Sequence, residues 1–550
     1  MDNQVETLVK RKPRFWRAYE NKILIVLNIT LVFVFLILLL YKVSTVPNVF
    51  VDEANYANEV VSFARFGTDI HGLHLPIYLS SVWGQGQSIL YAIVDAPLVR
   101  WFGFSMVTLR VPFLLMNWLI LCLLIFKVYQ WSKSLRLTTM VNIALISSPW
   151  IFISSRWILD ANIAPLMFML ATILFASGAM SKSKLLRIID VLFGALFLSL
   201  TAYGYVAAWL YLPVVCVLYF IAFVKDDSFK IWEYIVSVAV ILLVAVPIIV
   251  FAYRVNILKL THATKFLFFD IPPLPANRVG SLINLRGPGL INRCMHNLVD
   301  GLLIYLGGND YLQWNSVSPF GAVAPWLLIF APVGMLGNLE TMPKAIQLFR
   351  RLLTLNIVAF IPLALVVTPN YNHWNLLNIP LAILVGLGLF LCIQRFRETS
   401  IRLLFVLVPI CTFAYFLPFG YFGVGTEGSF FENGLVRFRD VQKLNQTVTS
   451  SSDSSRLYVD SLSWKFMYFR MVQAPISHSM YLNRTGTKSD FSKKMGDFSR
   501  YGSLRDMSIF RGGTKGDFIL RSSKEPMPGW KYCYSVTWNN VPQYLFKKSK

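Results

Sequence analysis

The sequence predicts an α-helical polytopic membrane protein with about eleven transmembrane helices, followed by a small extracytoplasmic α/β domain at the C-terminus. Three observations lead to this prediction. Of the 550 residues, 56% are hydrophobic and only 14% are charged, whereas soluble domains carry about 25% charged residues. Apolar segments long enough to span a bilayer recur along residues 23–419. After residue 419 the polarity is that of an ordinary globular domain.

The apolar segments set the domain boundaries. Residues 1–22 form a basic tail, residues 23–419 the transmembrane domain with loops 43–106 and 254–323, and residues 420–550 the C-terminal domain. The predicted spans are Ile23–Tyr41, Val107–Tyr129, Thr138–Ile153, Asp160–Met180, Leu185–Leu200, Val206–Val224, Trp232–Tyr253, Ala324–Leu339, Leu352–Thr368, Leu376–Cys392 and Arg402–Phe419.

Basic residues predict the orientation. The loops on the side of the N-terminal tail are all net basic, as cytoplasmic loops are expected to be. They contain Lys127, Lys133, Arg136, Lys182, Lys184, Arg187, Lys225, Lys230, Lys344, Arg350, Arg351, Arg395, Arg397 and Arg402. An odd number of spans then places the C-terminal domain outside, together with the two long loops. Much of the net charge of +23 lies in the inner loops, so it indicates topology and not nucleic-acid binding.

The C-terminal domain shows the pattern of mixed strands and helices. Strands are predicted at Arg456–Asp460, Asp517–Leu520 and Tyr532–Thr537, and helices at Glu432–Leu444 and Trp464–Val472. Basic residues outnumber acidic ones, so the domain could lie on anionic lipid or on an anionic wall polymer. A solvated basic surface without a partner explains the same composition.

The first candidate site lies just beyond the first span. Asp52 and Glu53 begin a helical segment that ends at Gly67. An acid pair at the membrane surface can carry out acid–base chemistry on a substrate there. Alternatively, Asp52 caps the helix and Glu53 interacts favourably with the helix dipole. Glu53 lies about 100° around the helix from Asp52, so we do not expect both side chains to reach one hydroxyl.

A second charged pair lies at the outer end of the fourth span. Arg156 and Asp160 are four residues apart, so they share one face if the segment is helical. Charged groups at that depth are costly unless they are paired or used in function. This favours a site that Arg156 and Asp160 share with Asp52. Alternatively, Asp160 only marks the start of a helix.

Several motifs follow one another in order along the chain. They are Asp52-Glu53-Ala54-x-Tyr56-Ala57, Gly67-x-Asp69-x-x-Gly72-x-x-x-Pro76, Tyr91, Phe102-Gly103-x-Ser105-x-x-Thr108-x-Arg110-x-Pro112, Ser155-Arg156-x-x-Leu159-Asp160, Gly307-Gly308-Asn309-Asp310 and Asn372-His373. The series resembles the polyprenyl-phosphate-dependent GT-C glycosyltransferases, in particular the protein O-mannosyltransferase and aminoarabinose-transferase family (glycosyltransferase family 39-like). The resemblance covers roughly residues 20–420, and its N-terminal part is specific.

The resemblance implies a GT-C fold and an inverting transfer of a sugar from a polyprenyl-phosphate donor to an acceptor hydroxyl on the outer membrane face. By this analogy Asp52 is the general base, and Glu53 is secondary. The leaving group is already a phosphate, so it needs a cation more than a general acid. Arg156 is the candidate for that cation, with Asp160 orienting either Arg156 or the acceptor.

The chain departs from the family where the lipid phosphate is expected to bind. Gln85 and Gln87 stand near a lysine of some relatives, and His373 stands where relatives often have an arginine. Gln87, His373 and the motif residue Arg110 complete the predicted substrate-binding set. The large outer loop offers further cations, namely Arg254, Arg278, Arg286 and Arg293. No cofactor is required by the sequence, no metal-ligating cluster is recognised, and a divalent cation is left open.

The implied partners are the lipid-linked donor, a cell-envelope glycan, lipid or protein as acceptor, and membrane lipids; no nucleic acid is expected. Because the extra sugar-binding domain of eukaryotic O-mannosyltransferases is not recognised, the resemblance implies a bacterial plasma-membrane enzyme. A transporter, such as a flippase of lipid-linked sugars, is the alternative. Transporters place ionisable sites near the bilayer midplane, whereas the acids here cluster at one face, which favours the enzyme. A scaffold that presents the C-terminal domain leaves the Asp52 loop unexplained.

Overall fold

A computed structural model describes residues 14–81, 84–226, 228–274, 281–312, 314–396, 398–423, 436–452, 454–472, 500–501, 503–539 and 541–549. Its helices are α1 (Arg14–Leu40), α2 (Val51–Phe66), α3 (Leu90–Phe102), α4 (Met106–Ser132), α5 (Leu135–Ile146), α6 (Pro149–Arg156), α7 (Ile163–Met180), α8 (Lys184–Gly204), α9 (Ala208–Lys225), α10 (Ile231–Asn256), α11 (Leu290–Gly307), α12 (Pro325–Leu328), α13 (Phe330–Leu336), α14 (Lys344–Val366), α15 (Asn378–Arg395), α16 (Thr399–Tyr415), α17 (Phe438–Thr449) and α18 (Leu462–Val472). Its strands are β1 (Thr264–Phe266), β2 (Phe269–Ile271), β3 (Leu457–Val459), β4 (Arg500–Tyr501), β5 (Leu504–Asp506), β6 (Phe518–Arg521), β7 (Trp530–Trp538) and β8 (Val541–Lys548).

The helices confirm the polytopic membrane architecture. Among the described residues, nine helical segments are long and apolar enough to cross a bilayer, namely α1, α4, α7–α10 and α14–α16. The helices α7 and α15 are mostly buried inside the protein, whereas only a small share of α1 and α10 is buried. Apolar surface of this kind is stable against lipid, which places α1 and α10 at the edge of the bundle.

Two of the predicted spans are not straight helices. In place of Thr138–Ile153, α5 and α6 form a pair bent by 58°. The bend follows from Ser148, whose hydroxyl accepts a hydrogen bond from the N–H of Ile151 and so caps α6, and from Pro149 at the first helical position. In place of Ala324–Leu339, the structure has only the short apolar segment Pro325–Leu336, which contains α12 and α13.

The helix predicted after the first span is confirmed with nearly the same bounds. It is α2, and Gly67 ends it with a φ of +68° while donating its N–H to the carbonyl of Phe63 at 3.0 Å. The first position of α2 is Val51, and its N-cap is Phe50, which makes no side-chain capping bond. Asp52 therefore lies inside the first turn and does not cap the helix.

The C-terminal domain is the predicted α/β unit. Its six strands pair in the order β4-β5-β3-β6-β8-β7, with β3 parallel to both β5 and β6. The three predicted strands coincide with β3, β6 and β7, and the predicted helix Trp464–Val472 coincides with α18. The N-terminal part of the predicted helix Glu432–Leu444 lies outside the described residues, and α17 begins at Phe438.

The C-terminal domain docks on the segment that carries Asp52. Val49 and Val436 exchange two backbone hydrogen bonds of 2.9 and 3.1 Å. The amide of Asn58 in α2 donates to the carbonyl of Met467 in α18 at 3.1 Å, with both groups buried. The start of α2 is thus held between the membrane helices and the C-terminal domain.

Candidate active site

A polar cavity of about 340 Å³ brings four predicted site residues together. They come from four separate segments and are Asp52, Gln87, Asp160 and His373. Because these residues are as much as 321 positions apart (373 minus 52), only the tertiary fold could assemble them. The cavity is therefore the candidate active site.

Asp52 enters the cavity from the first turn of α2. Its neighbour Phe50 stacks on Trp314, which also lines the cavity, with ring centroids 4.2 Å apart. Asn55 follows Asp52 by three residues, lines the same cavity and is 2% exposed. Spacing of three residues puts both side chains on one helical face. The sequence pattern thus contained a signal for Asn55 that our prediction did not use.

Asp160 enters from a short turn and not from the helix that carries Arg156. The helix α6 ends at Arg156 because Trp157 adopts an extended conformation, and Asp160 begins the 3₁₀ turn Asp160–Asn162. The expectation that Arg156 and Asp160 share one helical face is therefore wrong. The Asp160 carboxylate is buried and accepts the backbone N–H of Ser88 at 3.3 Å.

Gln87 is held by backbone pairing with Leu79. These two residues exchange two backbone hydrogen bonds of 2.9 Å. Gly86 has a φ of +88°, and a Cβ there would lie 3.0 Å from both Tyr78 and Leu274, so the position requires glycine. The Oε1 atom of Gln87 is buried and accepts no hydrogen bond from the described residues. It is available to accept a hydrogen bond from a ligand hydroxyl.

His373 lies on a loop shaped by Asn370. The Asn370 carboxamide oxygen accepts the backbone N–H groups of Asn372 and His373 at 2.9 and 2.7 Å. The Nδ1 atom of His373 is 2.8 Å from the carbonyl oxygen of Thr368, so Nδ1 carries a proton. Its ring stacks on Tyr205 at 24°. This geometry fixes the orientation of the imidazole in the cavity.

The motif that contains Asp310 supports the same loop. The Asp310 carboxylate accepts the backbone N–H of Tyr371 at 3.0 Å and the hydroxyl of Ser316 at 2.8 Å. Asn370 and Asn372 also line the cavity; Asn372 belongs to the Asn372-His373 motif, whereas Asn370 was not predicted. Asp310 therefore positions the His373 loop from outside the cavity.

Glu53 and Arg110 lie outside the cavity lining. Both side chains are fully buried and form a bidentate ion pair, with Arg110 Nε donating to Glu53 Oε1 at 2.8 Å and Nη2 to Oε2 at 2.6 Å. Arg110 Nη1 donates to the carbonyls of Val43 and Pro47, each at 2.9 Å, and Glu53 also accepts the N–H of Ile158 at 3.1 Å. These contacts connect α2 and α4 with the segments that precede Asp52 and Asp160.

Arg156, the predicted phosphate-binding cation, is also fully buried outside the cavity lining. Its Nε donates to the hydroxyl of Tyr421 at 3.1 Å. Its two terminal nitrogens donate to four backbone carbonyls in the last turn of α1 and the segment after it, those of Leu38, Leu39, Tyr41 and Val46. A guanidinium has five N–H donors, and these contacts engage all five. The structure leaves Arg156 no donor for a phosphate.

The arginines of the large loop are placed in different ways. Arg254 donates to Thr264 and to the carbonyl of Lys265, and Arg293 donates to carbonyls of its own loop. Arg278 lies outside the described residues. Within the described cavity lining there is no lysine or arginine, and His373 is the one side chain there that can become positively charged.

Buried acids also occur outside the cavity lining. Burial raises the pKa of Asp69 to about 7, although backbone N–H groups of Leu73 and His71 oppose the shift. Burial likewise raises the pKa of Asp95 to about 8. Neither residue lines the cavity. Across the described part of the chain, no three His, Cys, Asp or Glu side chains are grouped closely enough to hold a metal ion.

The bundle of apolar helices and the C-terminal α/β domain define the class of this protein as a polytopic membrane protein. No protein-family model and no curated protein sequence matches the chain. Among solved structures, the chain is similar to ArnT from Cupriavidus metallidurans in the apo state, with a TM-score of 0.55 and 11% identity over 94% of this chain and 97% of that chain. The same protein bound to undecaprenyl phosphate gives a TM-score of 0.54, with the same identity and coverage. These similarities confirm the predicted fold.

Proposed function

We propose that this protein is a membrane glycosyltransferase that moves a sugar from a polyprenyl-phosphate donor to an acceptor hydroxyl, with inversion and with Asp52 as general base. One observation carries the proposal: the polar cavity that contains Asp52 and Asp160 continues into apolar space between membrane helices. Such an arrangement suits a substrate that is polar at one end and hydrocarbon at the other.

The apolar space consists of two connected cavities. The first, about 210 Å³, shares Gln85, Tyr205, Ser281 and His373 with the polar cavity. The second, about 590 Å³, lies between α8, α9 and α10 and has an almost entirely apolar lining. Trp209 and Asn256 line both apolar cavities. A sugar phosphate in the polar cavity could therefore extend its polyprenyl chain past His373 toward the lipid.

The proposed reaction needs one base and one charge-stabilising group. Asp52 removes the proton from the acceptor hydroxyl. At the same time the hydroxyl oxygen attacks the anomeric carbon of the donor from the face opposite the phosphate. A new carbon–oxygen bond forms, the bond from the anomeric carbon to the phosphate oxygen breaks, and the polyprenyl phosphate leaves with the electron pair. Asp160 and the Oε1 of Gln87 accept hydrogen bonds from sugar or acceptor hydroxyls.

His373 is our candidate for the group that stabilises the phosphate. A protonated imidazole at the junction of the polar and apolar cavities would offer a charge-assisted hydrogen bond to a phosphate held there. We therefore propose that His373 binds the phosphate.

The fold supports the class of donor, since the ArnT structure from Cupriavidus metallidurans was solved with undecaprenyl phosphate bound. For this chain we propose a polyprenyl-phosphate sugar as donor and a cell-envelope glycan, lipid or protein as acceptor, at the outer face of a bacterial plasma membrane. The basic loops that the sequence places on the other side of the membrane support this orientation.

A comparison of cells with and without the gene tests the proposal. Mass spectrometry of the cell envelope should show one glycosyl substituent that is missing without the gene and restored by the wild-type chain. A flippase would instead move a lipid-linked sugar across a vesicle membrane without consuming it. Intact donor after incubation with purified protein and envelope acceptors, together with an unchanged envelope, would contradict the transferase.

A further inference from the structure

A second polar cavity, of about 520 Å³, is lined in part by the segment that leads into α2. Three chain segments line it, namely residues 42–49 after α1, residues 105–107 at the start of α4 and residues 437–442 at the start of α17. It has no lining residue in common with the candidate active site. We propose that this cavity binds the phosphate group of an anionic membrane phospholipid, and we call it the headgroup pocket.

The charge of the headgroup pocket is positive. Lys42, Arg437 and Arg439 line it, and no carboxylate does so among the described residues. None of these three cations forms an ion pair within the described part of the chain. Lys42 and Arg439 are exposed and Arg437 is half-buried, so together they create a positive potential that attracts anions to the pocket. A phosphate that accepts from arginine gains bidentate, charge-assisted hydrogen bonds.

Two helix N-termini meet in the same pocket. At the start of α4, Ser105 accepts the N–H of Thr108 at 3.0 Å, and its carbonyl accepts the N–H of Leu109. Met106 and Val107 line the pocket. They precede Thr108 and Leu109, so Ser105 does not bond their backbone N–H groups. The helix α17 begins in the pocket too, and its N-cap Arg437 makes no side-chain capping bond. Both helix dipoles therefore favour an anion at this position.

Asn48 gives independent evidence for a ligand. It lines the pocket, is 8% exposed, and its Nδ2 donor is buried without a hydrogen-bond partner among the described residues. A buried donor without a hydrogen-bond partner is destabilising. An oxygen of a bound phosphate would accept this hydrogen bond and remove the cost. The Nδ2 donor of Asn48, the cations and the helix N-termini therefore all favour an anion in the pocket.

The position of the pocket identifies the phosphate as that of a lipid. Lys42 lies two residues beyond α1, and Ser105 immediately precedes α4, so the pocket is at the end of two membrane-spanning helices. Trp101 and Phe102, just before Ser105, are 74% and 73% exposed, as aromatic residues at a membrane surface are. The volume also exceeds that of a phosphate ion and accommodates a headgroup with its glycerol.

The walls of the pocket are fixed by contacts between the domains. The two hydrogen bonds between Val49 and Val436 join the first wall to the third. Phe104 packs edge to face on Phe438 with ring centroids 6.2 Å apart, which joins the second wall to the third. A lipid phosphate bound between these walls would stabilise the docking of the C-terminal domain on the membrane domain.

Binding of a short-chain phosphatidylglycerol to the purified full-length protein in detergent tests the proposal. Arg437→Gln/Arg439→Gln should weaken binding about tenfold or more, because hydrogen bonds to a charged group are lost. The matched control Arg511→Gln/Lys515→Gln removes the same charge from exposed positions of the same domain and should change binding less than about twofold. Phosphatidylcholine of the same chain length should bind more weakly than phosphatidylglycerol.

Asn48→Ala provides a second variant that leaves the net charge unchanged. It removes a donor without a partner, so the protein should fold as well as the wild type. Binding of phosphatidylglycerol should nevertheless weaken several-fold, about as one lost hydrogen bond predicts. Equal losses in the pocket and control variants, or equal binding of the two lipids, would overturn the proposal. Displacement of phosphatidylglycerol by an equal concentration of inorganic phosphate would also overturn the proposal.

Discussion

Glu53 and Arg110 form a bidentate ion pair in which both side chains are fully buried. The pair places one carboxylate of the Asp52-Glu53 motif in the protein interior and leaves the other at the cavity. The guanidinium also holds the carbonyls of Val43 and Pro47, which precede α2. We infer that Glu53, through its pair with Arg110, holds the first turn of α2 in place and thereby positions Asp52.

This pair gives the first prediction. Removal of one partner leaves a buried charge alone and should cost about 3–5 kcal/mol of stability, for either Glu53→Leu or Arg110→Met. The double variant should recover part of this loss, since an apolar pair can replace a buried ion pair. Thermal melting of the purified proteins measures the cycle. Losses that simply add would show that the two side chains are not coupled.

The second prediction concerns Arg156. A lysine cannot reproduce five donors in a planar fork, so Arg156→Lys should lower the melting temperature of the purified protein. The affinity of the folded variant for polyprenyl phosphate should remain that of the wild type, because Arg156 faces the end of α1 and not the cavity. A variant with normal melting and weakened lipid binding would show that Arg156 binds the lipid phosphate.

The third prediction tests His373 as the phosphate-stabilising group. His373→Gln should lower the transfer rate about tenfold to a hundredfold, the range expected when one charge-assisted hydrogen bond is lost. His373→Arg keeps a positive charge and should retain most of the activity. His74→Gln, an exposed histidine outside the cavity lining, is the matched control and should have no effect. Equal rates for His373→Gln and the wild type would remove His373 from the mechanism.

The fourth prediction concerns orientation. In a cysteine-free version of the chain, a cysteine at the exposed position Ser451 should react with a membrane-impermeant maleimide in intact cells. A cysteine at the exposed Lys182, between α7 and α8, should react only after lysis. The opposite pattern would place the C-terminal domain and the candidate active site in the cytoplasm.

Local signals in the sequence were sufficient for much of the fold. The lengths of the apolar segments predicted the membrane helices, and Gly67 predicted the end of α2. The break between α5 and α6 was also readable, because Ser148 and Pro149 are a cap and a first helical residue. Our prediction of a single span there gave hydropathy more weight than these two residues.

The partners of the charged residues could not be read from the sequence. Glu53 and Arg110 are 57 positions apart, and Arg156 reaches carbonyls more than 100 positions away. Spacing predicted that Arg156 and Asp160 would share one face if the segment were helical, but Trp157 and Leu159 are extended and end the helix between them. Asp52 and Asp160 could be proposed from the sequence because each lies close to the end of a predicted span, and that property is local.

The rate of sugar transfer by Asp52→Asn tests the central claim most directly. Asp52 lies inside the first turn of α2 and does not cap it, so asparagine should leave expression and melting normal. Envelope mass spectrometry of gene-deleted cells that produce each variant, followed over time, gives the rate. Because an amide cannot accept the hydroxyl proton, the rate should fall by about two to four orders of magnitude. Asp300→Asn changes a half-exposed acid outside the cavity lining and should transfer normally. Transfer by Asp52→Asn at the wild-type rate would contradict the assignment of Asp52 as the base.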